Sequence, residues 1–232
     1  MSQYDHIRQE AYAANMQLPE LNLVLFTFGN VSAADRSAGL FAIKPSGVPY
    51  KDLSPDKMVI VDFEGKIVEG TLRPSSDTQT HAVLYKHWDK IGGIVHTHSM
   101  YATSWAQAQR DIPIFGTTHA DHLTTDIPCA PPMSDEMITG DYEYQTGFQI
   151  IDHFKANNLD YNEVEMVLVG NHAPFTWGKN ADKAVYNSAV LECVAQMALL
   201  TEKINPSAPK LKDTLINKHY QRKHGPGSYY GQ

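Results

Sequence analysis

Short runs of β-branched and apolar residues alternate with helical segments along this chain, and two of the runs carry a hairpin signal. Residues 58–62 and 66–70 flank Glu64 and Gly65, a turn signal between two strand-like runs. Residues 92–98 and 164–169 are further apolar runs with the length of buried strands. Interleaved helices together with a hairpin predict an α/β fold whose sheet is mixed or antiparallel, with helices on its faces.

Periodicity and turn signals predict the remaining elements. Helices are expected over residues 3–18, from 78 onwards, and over 101–109, 147–157 and 181–204, with a shorter helix running towards 218. Strands are expected over residues 21–28, 40–43, 113–116 and 175–178, and a polar loop over 117–122. Ser75, Ser76 or Asp77 is expected to cap the helix that begins near residue 78.

Composition limits the classes of protein to which the chain can belong. Its 232 residues can bury one substantial core, and its formal net charge of −7 argues weakly against a nucleic-acid partner. Cys129 and Cys193 form no Cys-x-x-Cys pair, so neither a disulfide framework nor a thiolate zinc site is indicated. No run approaches the roughly 20 apolar residues of a membrane span, so we expect a cytoplasmic protein without a membrane partner.

Two histidines end a buried strand and point to a metal site. His96 and His98 lie on one face of that strand, with Cα atoms about 6.6 Å apart, and His172 follows the run at residues 164–169 in the same manner. Imidazoles suit zinc, and Asp77 is a candidate oxygen ligand or base beside the ion. The alternative is a set of hydrogen-bonded structural histidines, with Asp77 as an ordinary helix cap.

Two loops offer groups that bind phosphate. Residues 44–47 provide a lysine cation, a serine hydroxyl and the unobstructed amide of a glycine, and residues 75–76 provide hydroxyls and amides at a helix N-terminus. Ordinary turns and caps remain the alternative for each loop. No glycine-rich nucleotide motif is present in the sequence. The candidate phosphate ligands are Asn30, Lys44, Ser46, Gly47, Ser75 and Ser76.

Seven parts of the sequence resemble the class II aldolase and adducin family, and together they extend over nearly the whole chain. They are residues 28–32, 43–48, 74–78, 92–99, 116–121, 174–180, and 218–220 with 229–232. Residues 116–121, and residues 218–220 with 229–232, favour the family's sugar-phosphate epimerases over its aldolases. One departure is Ala173, where the epimerases usually have glycine after the metal histidine; this leaves the fine geometry of that loop open, whereas His172 is still expected to be a ligand.

The resemblance implies one domain over residues 1–232, with a largely antiparallel sheet between helix layers. It also implies a homotetramer with four-fold symmetry, in which active sites lie between subunits and the tail at about 219–232 contributes to one of them. Each subunit would bind one divalent metal ion, with zinc favoured and manganese as an alternative. The implied metal ligands are Asp77, His96, His98 and His172, the acid/base pair is Asp121 and Tyr230, and the supporting residues are Thr117, Glu143 and His219.

The implied reaction interconverts L-ribulose 5-phosphate and D-xylulose 5-phosphate, which differ at C4. The proton on C4 is not adjacent to the carbonyl group, so simple enolisation cannot invert this centre. Cleavage of the C3–C4 bond can invert it, if a metal stabilises the enediolate while glycolaldehyde phosphate rotates and is attacked on its opposite face. Asp121 and Tyr230 would then handle the proton of the C4 oxygen in the two epimers.

Two other functions within the family remain open at this point. An aldolase of the L-fuculose-phosphate type would release the two fragments instead of rejoining them. An adducin-like relative would use the fold as a non-catalytic interaction module, although the four retained metal ligands argue against this.

Overall fold

In the computed structural model, which describes residues 2–229, eight strands form one central sheet. The strands are β1 (Asn30–Asp35), β2 (Leu40–Ile43), β3 (Val59–Asp62), β4 (Ile67–Glu69), β5 (Gly93–His96), β6 (Cys129–Ala130), β7 (Met166–Val169) and β8 (Pro174–Gly178). Their order is β4-β3-β2-β1-β5-β8-β7-β6, and every neighbouring pair is antiparallel except β6 and β7. The predicted largely antiparallel sheet and its early hairpin are confirmed.

Helices surround this sheet. They are α1 (Asp5–Glu20), α2 (Thr78–His87), α3 (Met100–Gln107), α4 (Thr117–Ala120), α5 (Asp135–Thr139), α6 (Tyr142–Ala156), α7 (Ala181–Ile204) and α8 (Asp213–His224). Two short 3₁₀ turns, Tyr50–Asp52 and Pro55–Lys57, precede β3.

Alternation along the strands divides the core into two layers, one on each face of the sheet. In β2, Phe41 and Ile43 belong to the layer that contains α2, α3 and α6, whereas Leu40 and Ala42 belong to the layer that contains α1. This is the period-two pattern expected of a strand that is buried on both faces. The class of fold is therefore an α/β domain with helix layers on both sides of one sheet, as predicted.

Helix α7 has the length and apolar content of a membrane span, although no such segment was expected from the sequence. Its first turns, with Ala184 and Val185, pack in the α1 layer, and its middle, with Leu191 and Val194, packs in the other layer. The helix contacts β5, β8 and α3 along its length. These contacts are those of a core helix.

The prediction of a strand over residues 21–28 is wrong, because β1 begins only at Asn30. In the observed loop Asn22 and Phe26 have φ angles of 56° and 53°, which no strand accommodates. Leu25 and Phe26 are 66% and 82% exposed, so their apolar character does not reflect burial within the chain. An apolar run was interpreted as a strand, although tertiary contacts bury Leu23 in the core and leave Leu25 and Phe26 on the surface.

Two further predictions, both near the middle of the chain, disagree with the observed structure. Residues 113–116 form no strand, and the only pairing there is an isolated bridge between Ile112 and Ile127. Residues 117–120 form the short helix α4 instead of a polar loop. Helix α4 packs on α8 through a small cluster that includes Ala120 and Ile216, and this long-range contact explains why a segment without an apolar stripe is helical.

Candidate active site

One pocket of about 460 Å³ opens where β1 and α2 begin and β2 and β5 end. All four predicted metal ligands, all six predicted phosphate ligands and Glu143 line it. These residues come from distant parts of the sequence, so the sheet and its loops bring the two predicted half-sites together in one cavity.

Three histidines form a cluster at one side of the pocket. His96 ends β5, His98 follows two residues later, and His172 lies in the turn between β7 and β8. The Nε2 atoms of His96 and His98 are 3.2 Å apart, and the potential ligand atoms of all three residues lie within 4.8 Å of one another. Asn171, with a φ of 61°, makes the tight turn before His172. Ala173 is buried after it and accepts the Val169 N–H, so the substitution leaves His172 in the cluster.

The chemistry of this cluster fits a divalent metal ion. His96 Nδ1 donates to Pro174 O at 3.0 Å, which leaves a lone pair on Nε2 facing His98. Burial and the neighbouring histidines lower the pKa of His96 and of His172 to about 3, so both rings are neutral. Two nitrogens bound to one tetrahedral zinc ion, each at about 2.0–2.1 Å, lie about 3.3 Å apart. The observed separation of 3.2 Å therefore suits ligands of a shared cation.

Asp77 lies beside the histidines but outside their tight group. It occupies the position before α2, yet its side chain makes no capping bond, while Ser75 Oγ accepts the Asp77 N–H at 3.4 Å. Its Oδ2 instead accepts a hydrogen bond of 2.5 Å from Asn30 Nδ2. Among residues 2–229, the group of potential ligand atoms within 4.8 Å contains only the three histidines. The role of Asp77 as a fourth ligand stays a prediction.

The two predicted phosphate loops lie side by side. Ser46 N donates to Arg73 O at 2.9 Å, and Ser75 N donates to Lys44 O at 3.0 Å. These bonds flank an isolated bridge between Pro45 and Pro74. The hydroxyls of both loops consequently border the same end of the pocket.

Lys44 is a buried cation at this end. The residue is 2% exposed, and its Nζ donates to the carbonyl oxygens of Thr27 and Pro45, at 3.2 and 3.4 Å. No carboxylate pairs with it in the part of the chain that the structure describes. Burial lowers the pKa of Lys44 to about 8, because the ammonium form loses hydration. An anion in the pocket would supply the missing counter-charge.

Gly29 allows the phosphate and histidine sides of the pocket to meet. Its φ is 73°, and a Cβ atom there would lie 2.7 Å from Val24 Cγ1 and 3.0 Å from His96 O. Only glycine permits the loop to lie this close to the end of β5 with this backbone conformation. The loop then places Thr27 O against Lys44 and the Asn30 amide against Asp77.

The predicted acid/base residue Asp121 lies elsewhere in the chain, at the end of α4. It accepts hydrogen bonds from His219 Nδ1 at 2.9 Å and from Arg222 Nε and Nη2 at 3.1 and 3.0 Å. Burial opposes ionisation, but the bonds from Arg222 and His219 outweigh it and hold the pKa of Asp121 below its usual value. Thr117, Asp121 and His219 are not among the residues that line the pocket, and Tyr230 lies outside the described residues.

Two side chains at these sites were not predicted from the sequence. Tyr142 Oη lies 3.4 Å from His172 Nδ1, and its position depends on the packing of α6 against α2. Arg222 lies in α8 beyond residue 218, where the predicted last helix ended. Its spacing of three residues from His219 on one helix face was the signal available in the sequence.

Comparison with known proteins agrees with this fold. Residues 9–199 match the family described as "Class II Aldolase and Adducin N-terminal domain". The chain is 50% identical over 226 residues to a protein named L-ribulose-5-phosphate 4-epimerase UlaF from Salmonella paratyphi B, with 97% of this chain and 98% of that protein covered. The protein of the same name from Salmonella typhi matches with the same identity and coverage.

A solved structure named L-fuculose 1-phosphate aldolase superposes with a TM-score of 0.79 at 24% identity, covering 96% of this chain and 97% of that one. An L-fuculose 1-phosphate aldolase from Glaciozyma antarctica superposes with a TM-score of 0.76 at 15% identity, covering 94% and 81%. At these identities the likeness concerns the fold. The match over residues 9–199 and the 50% identity over nearly the full length show that this chain belongs to the class II aldolase and adducin family.

Proposed function

We propose that this chain catalyses the interconversion of L-ribulose 5-phosphate and D-xylulose 5-phosphate. The observation that carries the proposal is its 50% identity, over 97% of the chain, to proteins named L-ribulose-5-phosphate 4-epimerase. The pocket supports this proposal, because it contains both a histidine cluster and a buried lysine. The reaction requires a metal-binding site and a phosphate-binding site close together.

For the cofactor we propose one divalent ion per subunit, with zinc favoured over manganese. His96, His98 and His172 would hold it through neutral imidazole nitrogens, and Asp77 would be the fourth ligand. When bound, the ion supplies Lewis-acid stabilisation of the negative charge that cleavage of C3–C4 leaves on the three-carbon fragment.

The phosphate side of the pocket would keep the other fragment in place. Lys44 supplies the cation, Ser46 and Ser75 supply hydroxyls, and Gly47 supplies an amide, while Asn30 and Ser76 border the same region. Glycolaldehyde phosphate held in this way can rotate about its own bonds without leaving the pocket. Re-addition to its opposite face is then effectively unimolecular, which separates an epimerase from an aldolase that releases its fragments.

A base must remove the C4 hydroxyl proton as the C3–C4 bond breaks, and an acid must return a proton after rotation. We assign these roles to Asp121 and Tyr230, with Thr117, Glu143 and His219 as supporting residues. Asp121 lies outside the pocket of its own chain. We therefore propose that a neighbouring subunit of a homotetramer supplies it, together with the tail at about residues 219–232.

We also propose a cytoplasmic location, since Cys129 and Cys193 are both free thiols. Breakdown of arabinose or of ascorbate would supply the pentose phosphate.

The test is incubation of the purified protein with zinc and L-ribulose 5-phosphate. We expect rapid formation of D-xylulose 5-phosphate without release of fragments. Accumulation of dihydroxyacetone and glycolaldehyde phosphate in its place would overturn the epimerase proposal in favour of an aldolase. Failure to bind any divalent metal, measured by elemental analysis, would favour a non-catalytic adducin-like role. Sedimentation at several protein concentrations tests the proposed tetramer.

A further inference from the structure

Behind the histidine cluster lies a fully buried chain of polar side chains that the proposed reaction does not use. Ser32 Oγ is 2.8 Å from Tyr85 Oη and 2.7 Å from His81 Nδ1. All three residues are 0% exposed. The other ring nitrogen, His81 Nε2, is also buried and has no hydrogen-bond partner within residues 2–229. A buried polar atom without a partner is costly, so this nitrogen requires a physical explanation.

His81 lies next to Asp77. It follows Asp77 by one helical turn, which places both side chains on the same face of α2. Helical side chains lean towards the N-terminus, so the ring extends back towards the carboxylate. The charge of Asp77 favours protonation of the His81 ring, whereas burial, the larger effect, lowers its pKa to about 3 and keeps the ring neutral.

A second unpartnered atom belongs to the same neighbourhood. Asn30, which donates to Asp77 through Nδ2, has a buried Oδ1 without a partner in the described chain. Asn30 and Ser32 are two residues apart on β1, so their side chains lie on one face of the strand. The two atoms without partners, His81 Nε2 and Asn30 Oδ1, therefore belong to residues that both adjoin Asp77.

The hydrogen-bond chain can run in either direction, since Tyr85 Oη can also donate to Ser32 O at 3.3 Å, and the charge of Asp77 decides between the two directions. If Tyr85 donates to Ser32 Oγ and Ser32 donates to His81 Nδ1, the ring proton is on Nε2. The opposite direction would leave an Nε2 lone pair near the Asp77 carboxylate, and these two negative regions would repel. The first arrangement gives the carboxylate a donor, so it is favoured.

We propose that His81 is a positioning residue for Asp77, and that its Nε2–H donates to one bound water that donates in turn to the Asp77 carboxylate and to Asn30 Oδ1. Such a water would make three hydrogen bonds, the usual number for a buried one. It would hold the carboxylate in the orientation that faces the three histidines. The inference deepens the proposed metal site and rests on Asp77 being a ligand there.

The first test is the protonation state of His81 in the metal-free protein, read from ¹⁵N shifts and two-bond ¹⁵N–¹H couplings of labelled histidine. We expect the proton on Nε2 in the unaltered protein, and a shift towards the Nδ1–H form in Ser32→Ala, where the hydroxyl that donates to Nδ1 is lost. A proton on Nδ1 in the unaltered protein would overturn the inference. This measurement depends neither on metal nor on activity.

The second test is zinc affinity, measured against a competing chelator, in a pair of variants. His81→Gln places an amide nitrogen near the position of Nε2, whereas His81→Asn reaches only the position of Nδ1. Both lose the ring, so packing alone would affect both. We expect His81→Asn to lower zinc affinity about 10- to 100-fold, the usual effect of removing an outer-sphere partner, and His81→Gln to stay within about threefold of the unaltered protein.

His87→Asn and His87→Gln are the matched controls. His87 lies on the same helix and its Nδ1 bonds to Val83 O, and the residue does not line the pocket. Both control variants should retain full zinc affinity. Equal affinity losses in the two His81 variants would show that His81 only packs, and would overturn the inference. If neither His81 variant folds, the ¹⁵N measurement decides alone. If the His81 variants differ in zinc affinity as expected but the unaltered protein has no epimerase activity, the proposed reaction is overturned and this inference stands.

Discussion

Replacement of Lys44 by methionine would remove the cation at the phosphate end of the pocket while keeping a long unbranched side chain. A hydrogen bond to a charged group contributes about 1.5–3 kcal/mol, and each 1.36 kcal/mol corresponds to a factor of ten. Because Lys44 has no carboxylate partner in the described chain, its charge is available to the substrate. We expect kcat/KM for L-ribulose 5-phosphate to fall about 10- to 150-fold, chiefly through a higher KM.

The pH dependence of kcat/KM provides a sharper form of the same prediction. Burial disfavours the ammonium form of Lys44 and lowers its pKa to about 8, so the charge is present below this pH and lost above it. The charged fraction falls from roughly nine-tenths at pH 7 to roughly one-tenth at pH 9 for a pKa near 8. The second pKa of a phosphate monoester is about 6, so the substrate stays dianionic over this range. We expect kcat/KM to decline above pH 8 in the unaltered protein, and this decline to be absent in Lys44→Met.

Initial rates of epimerisation across this range, with metal content measured for each variant, test the prediction. Lys86→Met is the matched control, because Lys86 is exposed and pairs with Glu64 at 2.7 Å, away from the pocket. It should leave both kcat/KM and the pH profile unchanged. A Lys44→Met variant within threefold of the unaltered protein, or one that keeps the same alkaline decline, would refute this account of Lys44.

Other predictions concern the strand that carries the histidines and the ligands themselves. Gly93→Ala should destabilise the fold by about 1–3 kcal/mol or more, because the added Cβ would meet the backbone of Ala181, with its N at 2.5 Å. Urea unfolding in chelator, compared with Gly116→Ala, where a Cβ meets nothing within 4 Å, measures this cost, and equal stabilities would contradict it. His98→Asn should lower zinc content and activity together, and full activity of the metal-stripped variant would remove His98 from the ligand set. Tyr230→Phe should keep its metal while kcat falls, whereas an unaltered kcat would exclude Tyr230 from catalysis.

Local patterns in the sequence determined several elements closely. The long apolar stripe at residues 181–204 predicted α7 with the observed bounds, and the apolar run at 40–43 predicted β2. The hairpin of β3 and β4 followed from its turn signal. These features depend on periodicity and turn chemistry within a few residues, which a single sequence records directly. The pairing of His96 with His98 was predictable for the same reason.

Other features of the fold and of the site depend on tertiary contacts, which sequence periodicity does not predict. The apolar run at residues 21–28 has strand-like composition, yet it is a surface loop whose close approach to His96 depends on Gly29. The two phosphate loops meet through backbone bonds between residues about 30 positions apart, such as Ser75 with Lys44. Asp121, predicted as an acid/base residue, lies with Arg222 outside the pocket of its own chain, which the sequence alone did not indicate. The residue types of the site could be read from the sequence, but their grouping depends on contacts between distant segments, which only the folded chain establishes.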